Sequence, residues 1–447
     1  MGSALRTYYR RIEVTGVEHL DGARPTILAS NHPNSIIDPL MVGLFESRRV
    51  SFCARDGLFR VPVFGSLLRS VGAIPIARRS DHGDKADNSA AFEACRQTLL
   101  GGGAISLFPE GHTHSALRVD DLRTGTARIA LDASRASGYA AGVVIVPIGL
   151  NFLVRQAFRS DVHVAFGAPI AVADYAELDR EDPCAAARAL TDALTEAIRT
   201  LTVHIVEEDD ERLIAQTTAI IAGIRSEHGL DVGGQTPSER TALVQRIVHA
   251  YHWYQDVNPS RFADLRERMA WFVEERRRLG LGGETAVLQH RSETLVWGEE
   301  RSLTDKLWRW ALGAPFALVG LVVAGVPYLL LRGLVTVLRP DLVRMAWFKL
   351  LVGAAVFGVS WTVMGTVVAR SWGLGPAVAF AVLAMPLSLY TLRYLTELRL
   401  HRVGLAAMLR RFREADRLSA IRAERDALSQ DLREVRDHYL AVHGEQA

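Results

Sequence analysis

The sequence predicts an α/β sandwich built on a mostly parallel central sheet, followed by a helical region and a C-terminal region of membrane helices. Three observations carry this expectation. Short apolar runs of strand length recur through the first 205 residues with helix-like segments between them. Those runs lack the polar alternation of a one-sided sheet, so the sheet is buried on both faces. Beyond residue 307 the chain holds three long stretches free of charged side chains. At 447 residues it is also too long for one ordinary domain.

Residues 12–30 read as strand, turn, strand: Ile12 to Val17 alternates, Asp21-Gly22 breaks it, and Thr26 to Ala29 is a buried-type run. Runs of the same kind follow at Val50–Cys53, Ala73–Ala77, Ala104–Phe108, Val143–Leu150 and Val162–Phe166. Helical stretches fall at Ser89–Leu100 and Thr126–Ser137, and a last helix over Pro183–Thr200 closes a domain of residues 1–205. The strand signal then fades. Glu207–Arg225, Pro237–Gln255 and Arg261–Leu279 carry apolar residues at helical spacing, separated by glycine-rich turns near 229–234 and 280–283, which makes 206–300 a helical accessory region.

Ala311–Leu331, Leu350–Ala369 and Ser371–Leu392 contain no charged residue. At 1.5 Å per residue each is long enough to cross about 30 Å of hydrocarbon. Three such runs in succession define a membrane region over 307–395. The first run carries Gly313, Pro315, Gly320, Gly325 and Pro327, which suits a broken, re-entrant or interfacial helix. The second and third then form a transmembrane hairpin near 350–392, with the first segment, 311–331, re-entrant or, as the alternative, a third spanning helix. The even count of the hairpin keeps both the Arg332, Arg339, Arg344, Lys349 cluster and the Arg393, Arg399, Arg402 cluster on the cytoplasmic side. Residues 396–447 form a tail with a thin apolar stripe of Leu418, Ile421, Leu428, Leu432 and Val435, an amphipathic or coiled-coil pattern.

Composition excludes several classes. The formal net charge of +2 gives no electrostatic reason for a nucleic-acid partner. Mean hydropathy is only +0.10, so the membrane character is local. The only lysines are Lys85, Lys306 and Lys349, which leaves Lys85 alone for any Schiff-base chemistry in the N-terminal half. Cys53, Cys95 and Cys184 show no metal-like spacing and read as isolated small hydrophobes in a reducing compartment. The N-terminal segment has no apolar signal region, and Gly2 lacks the downstream Ser or Thr of a myristoylation site.

The densest chemical signal follows the first buried run: Ser30-Asn31-His32-Pro33-Asn34-Ser35-Ile36-Ile37-Asp38-Pro39. A histidine at a strand end with an aspartate six residues on can form a base and its orienting carboxylate, and needs no serine if the nucleophile is a substrate hydroxyl. Spacing alone equally permits a turn in which both residues cap a helix. Further runs end in Val71-Gly72-Ala73-Ile74-Pro75-Ile76-Ala77-Arg78-Arg79, in Leu107-Phe108-Pro109-Glu110-Gly111 and in Val146-Pro147-Ile148-Gly149.

Taken in order, these blocks resemble the glycerolipid acyltransferase superfamily, in which a His-Asp motif is followed by a glycine-to-arginine block, an FPEG block and a VPI block. The resemblance covers roughly residues 10–205. It implies His32 as catalytic base and Asp38 as its partner, with Arg78, Glu110 and Gly111 lining the acyl-acceptor site and Arg78 the first candidate for a phosphate. Leu122-Arg123-Thr124-Gly125 resembles the basic element that follows FPEG, so Arg123 is a second phosphate candidate. Five residues separate His32 from Asp38 where the commoner branch has four, a spacing similar to that of the fungal-type glycerol-3-phosphate acyltransferases and related bacterial sequences.

The implied activity is transfer of a fatty acyl group from acyl-CoA or acyl carrier protein to glycerol-3-phosphate or 1-acylglycerol-3-phosphate, with no cofactor, at a bacterial cytoplasmic membrane. Acylation of another lyso-lipid or lipid alcohol, and a non-catalytic lipid-binding role, are the alternatives. The expected partners are the bilayer, the acyl thioester and the glycerol-phosphate acceptor. His112-x-His114 has no Cys, Asp or Glu at ligand spacing, so no metal is assigned. The apolar stretch Gly57–Phe64 is either core or a membrane-contacting loop.

Overall fold

The computed structural model describes residues 2–61, 64–77, 87–114, 116–152, 158–205, 210–211, 213–215, 217–218, 236–278, 303–339, 342–413 and 415–444. The chain divides into two compact units. The first comprises Met1–Val206, Thr236–Gln245 and Leu342–Ala346, and the second the remainder.

The first unit opens with α1 (Gly2–Tyr8), then β1 (Arg11–Thr15), β2 (Thr26–Ser30), α2 (Ile37–Val42), β3 (Val50–Arg55), α3 (Phe64–Ser70) and β4 (Ile74–Ile76). It continues with α4 (Ser89–Leu100), β5 (Ala104–Leu107), α5 (Gly125–Ala136), β6 (Val144–Phe152), β7 (Asp161–Phe166), β8 (Ile170–Ala171), α6 (Ala176–Glu181) and α7 (Pro183–Leu201). The strands form one sheet in the order β1-β7-β6-β2-β5-β3-β4, with β8 beside β6. All pairings are parallel except β6 with β7 and β8. The mostly parallel sheet is therefore as the sequence implied.

Every residue of β2, β5 and β7 is buried, which explains their mostly apolar sequences. On one face Ile27, Ile105 and Ile145 meet Leu131 of α5 and Leu190 and Leu194 of α7. Helix α7 is well determined by its own sequence. Asp182 caps it by accepting from the amides of Cys184 (2.8 Å) and Ala185 (3.0 Å), Pro183 opens the first turn, and Leu190, Leu194 and Ile198 fall on one buried face.

Residues 12–30 form strand, turn and strand as read, and in the sheet β7 and β6 lie between β1 and β2. Asp21 turns the chain by accepting from the amides of Ala23 and Arg24 and closes no hairpin. The fully buried β2 takes a central place, and the half-buried β1 takes the sheet edge. Two of the three cysteines, read as isolated, are neighbours: the sulfurs of Cys53 on β3 and Cys95 on α4 lie 3.7 Å apart. In the Gly57–Phe64 stretch, Val61 is exposed, and Pro62 and Val63 lie outside the described residues.

The second unit takes most of α8 (Pro237–Val257), whose residues up to Gln245 belong to the first, then α9 (Pro259–Arg278), α10 (Leu303–Leu338), α11 (Leu342–Trp372), α12 (Leu374–Arg413) and α13 (Ala415–His443). Much of Glu207–Arg225 and both glycine-rich turns lie outside the described residues. Ala311–Leu338, Phe348–Trp372 and Leu374–Leu395 are each long and apolar enough to cross a membrane. Leu312, Val322, Val359 and Val382 among them are largely exposed, as lipid-facing side chains are. The break expected in the first run is not there: α10 is one continuous helix with Pro315 and Pro327 inside it. Proline is accepted within apolar helices when local adjustment re-satisfies the freed carbonyl.

Candidate active site

Parallel pairing of β2 with β5 and β6 brings the carboxyl end of β2 beside that of β5, and open α/β sheets assemble ligand sites at such ends. The loop after β2 supplies His32 and the loop after β5 supplies Glu110. Asn31 fixes the first loop by imitating a strand residue. Its side-chain oxygen accepts from the Leu150 amide (2.8 Å) and its nitrogen donates to the Leu150 carbonyl (3.1 Å), which pins the end of β2 to β6. The sequence reading gave Asn31 no task; a buried asparagine one residue past a strand was the signal.

His32 Nδ1 lies 2.9 Å from Asp38 Oδ2, with the carboxylate wholly buried. The same oxygen accepts from the Asn34 amide at 2.6 Å, a charge-assisted bond that holds it in place. Between the two residues, Ser35 turns the loop with a left-handed φ of 51°. Asp38 lies in the first turn of α2. The ring of His32 stacks on Phe108 at 4.0 Å between centroids and 20° between planes, and its amide donates to Glu110 Oε1 at 3.0 Å. Beneath the loop Asn34 donates to the Tyr9 hydroxyl (3.1 Å). Burial and the nearby Tyr8 and Asp38 push the Tyr9 pKa far up, so it stays a neutral phenol.

Glu110 is buried, and its second oxygen meets His114 Nε2. Gly111 has a φ of 74°, and a Cβ there would come within 2.9 Å of Arg123 Nε, so the glycine both makes the turn and leaves room for that guanidinium. The Arg123 amide donates to the Pro109 carbonyl (2.9 Å). Asp120 accepts from Arg118 (2.6 Å) and lies 3.0 Å from His112 Nε2. Burial raises the Asp120 pKa, but the Arg118 bond and the adjacent histidines outweigh this and hold it below the usual carboxylate range. Glu110, His114 and Asp120 thus place ligand-capable atoms within 4.8 Å of one another. No metal was assigned here for want of an acid at ligand spacing, and the fold supplies two.

Of the site residues expected from sequence, His32, Asp38, Glu110, Gly111 and Arg123 gather at this end of the sheet, while Arg78 lies outside the described residues. The VPI block proves to be packing. A Cβ on Gly149 would come within 2.2 Å of the Leu201 carbonyl oxygen at the end of α7. Two cavities open around Glu110. One, of about 140 Å³, has His32, Leu150, Phe152, Val203 and Val244 among its walls. The other, of about 460 Å³, is walled by Glu110, His112, Arg118, Arg123, Arg199 and His204, with Asp120 and Asp121.

The Acyltransferase family model matches residues 11–151. Glycerol-3-phosphate O-acyltransferase 2 of Saccharomyces cerevisiae is 29% identical over 129 residues, which is 29% of this chain and 17% of that one. A chloroplastic 1-acyl-sn-glycerol-3-phosphate acyltransferase of Arabidopsis thaliana is 25% identical over 143 residues, 32% of this chain and 36% of that one. The chain therefore spans well under half the length of these relatives. The crystal structure of the 1-acyl-sn-glycerophosphate acyltransferase PlsC from Thermotoga maritima is similar at 16% identity and a TM-score of 0.32, over 46% of this chain and 78% of that one. The first unit is an acyltransferase domain. Over residues 11–151 the chain is similar to glycerolipid acyltransferases.

Proposed function

We propose that the protein is a membrane-bound O-acyltransferase that moves a fatty acyl group from acyl-CoA or acyl carrier protein to the hydroxyl of glycerol-3-phosphate or 1-acylglycerol-3-phosphate. The observation that carries the reading is the His32–Asp38 pair at 2.9 Å, with the imidazole at the wall of a cavity. With Nδ1 donating to Asp38, Nε2 is the basic nitrogen. It accepts the proton of the acceptor's hydroxyl as that oxygen attacks the thioester carbonyl. The tetrahedral intermediate collapses with cleavage of the C–S bond, and the leaving thiolate takes the proton back from the imidazolium. An ester forms, a thioester breaks, and no cofactor is consumed. Asp38 holds the ring and stabilises its charged form.

The apolar side chains around His32 suit the acyl chain next to the thioester, and the arginine-bearing cavity suits the phosphate. Arg78 joins Arg123 as a phosphate ligand in this reading, with Glu110 and Gly111 shaping the acceptor site. We place the enzyme in a bacterial cytoplasmic membrane with the acyltransferase domain facing the cytoplasm, where acyl thioesters are made. The three apolar helices and the positive residues flanking them support that placement.

The test uses membranes carrying the full chain, labelled acyl-CoA and a panel of acceptors. Labelled lysophosphatidate or phosphatidate is expected, and His32→Ala should lower turnover by at least about two orders of magnitude while leaving membrane content unchanged. Near-normal turnover in His32→Ala overturns the mechanism. Transfer only to phosphate-free alcohols overturns the acceptor assignment.

A further inference from the structure

We propose that Arg199, on the last turn of α7, joins Arg123 to form a two-guanidinium subsite for a phosphate monoester in the larger cavity. Arg199 lies beyond the residues matched by the family model, and none of the recognised sequence blocks contains it. The inference rests on the acyl-transfer reading only for the source of the phosphate.

Charge bookkeeping within the cavity singles out these two arginines. Asp120 is engaged by Arg118 and His112, and Glu110 by the His32 amide and His114. Asp121 stands exposed at the edge of the cavity and pairs with neither Arg123 nor Arg199. Among the described residues neither of those two guanidiniums has a carboxylate within 4.0 Å, although eight other arginines of the same unit do.

Arg199 adds a second sign of an absent acceptor. Its Nε is buried and finds no hydrogen-bond partner in the protein. A basic residue in a helix's last turn is ordinary, since it meets the negative end of the helix dipole. A buried donor of such a residue without an acceptor is not, because unsatisfied buried polar groups are rare and costly. The Arg123 backbone is anchored through its amide to the Pro109 carbonyl, and its guanidinium lies against Gly111.

His204 completes the wall. Its Nδ1 accepts from the Val119 amide at 2.9 Å, which leaves the proton of the neutral ring on Nε2 and makes that nitrogen a donor. Two forked guanidiniums match the oxygens of a phosphate monoester better than those of a carboxylate, which offers two. Two sources carry that group: the acyl acceptor, and the 3′-phosphate of coenzyme A on the donor.

The experiment has a binding arm and a kinetic arm, both on the full-length protein in detergent or membranes. In the binding arm, inorganic phosphate should raise the unfolding temperature of the wild type relative to chloride at equal ionic strength, as a ligand of the folded state does. Arg199→Gln should abolish the rise and Arg199→Lys should keep part of it. This arm needs no turnover, so it stands even if the acyl-transfer reading fails.

In the kinetic arm, Arg199→Gln should raise the KM of the phosphate-bearing substrate about tenfold or more, with kcat less affected. A change confined to glycerol-3-phosphate or lysophosphatidate assigns the subsite to the acceptor. A change seen with acyl-CoA but not with acyl-pantetheine, which lacks the 3′-phosphate, assigns it to the donor. If Arg199→Gln folds, keeps the phosphate-induced stabilisation and leaves both KM values within about twofold, the subsite does not exist.

Discussion

Asp38 touches no substrate in the proposed mechanism, yet it decides which nitrogen of His32 can act. Its carboxylate is wholly buried, accepts from the Asn34 amide at 2.6 Å and faces His32 Nδ1 at 2.9 Å. Replacing it with asparagine keeps the shape and removes the charge. The amide nitrogen can then face Nδ1 and leave the proton on the wrong side of the ring. Asp38→Asn should therefore lower kcat by about 10²–10⁴, comparable to losing the base outright, with both KM values within about threefold. The check is steady-state kinetics beside a thermal melt. Wild-type kcat with an unchanged melt would reduce Asp38 to a helix-terminus residue, the plain alternative its spacing allowed.

At the scale of elements, the close contact between β6 and α7 sets what Gly149 must be. A Cβ there would sit 2.2 Å from a backbone oxygen of Leu201, and backbone cannot swing aside as a side chain can. Gly149→Val should destabilise the first unit by at least about 1–3 kcal/mol, the usual cost of overfilling a packed contact. It should leave specific activity per folded molecule nearly intact. Calorimetry on the purified protein, with activity normalised to folded fraction, separates the two effects. A pure loss of kcat with no change in melting would return the VPI block to the chemistry.

The same contact shows what was legible in sequence. The buried runs, the residues at their ends and the His32–Asp38 pair were readable because burial on both faces leaves an unbroken apolar run, and loops at strand ends collect polar residues. Partners distant in sequence were not readable. Val119 meets His204 across 85 positions and Asn31 meets Leu150 across 119, with no periodicity to mark either. The central place of β2 and the edge place of β1 were hidden for the same reason, since pairing order is a property of the whole sheet. Pro315 and Pro327 misled because the rule that proline breaks helices is learned in water.

Across the whole molecule, the second unit constrains how the chain meets a membrane. Helix α9 precedes the three apolar helices and α13 follows them, yet the two pack together through Met269, Phe272, Ile421 and Leu428. Arg268 bridges Glu424 and Asp431 at 2.7 Å each, and Arg261 reaches Glu434 at 2.7 Å. Helices in contact lie on one side of a bilayer, so this packing predicts an even number of crossings between residues 278 and 415. The apolar pair α10 and α12 agrees. Gly313 meets Tyr394, Thr391 donates to the Ala317 carbonyl at 3.2 Å, and Gly320 meets Leu387, an order that runs the two helices antiparallel. Three crossings would run them parallel. With the acyltransferase domain cytoplasmic, as proposed above, an even count with α12 as one of the crossings predicts Gly373, the turn between α11 and α12, outside and the C-terminus inside. A triple crossing gives the reverse for both positions. Cysteine labelling in intact cells reads this directly, with the naturally exposed Cys184 as the reporter for the acyltransferase domain. In a background lacking Cys184, Gly373→Cys should react with an impermeant maleimide without permeabilisation, and Ala447→Cys only after it. Cys184 in the wild type should behave like Ala447→Cys. Arg339→Cys then names the partner of α12: labelled from outside if α10 crosses, protected if α11 does. Labelling of Ala447→Cys in intact cells, with Gly373→Cys protected, would mean three crossings and would separate α9 from α13 by a membrane.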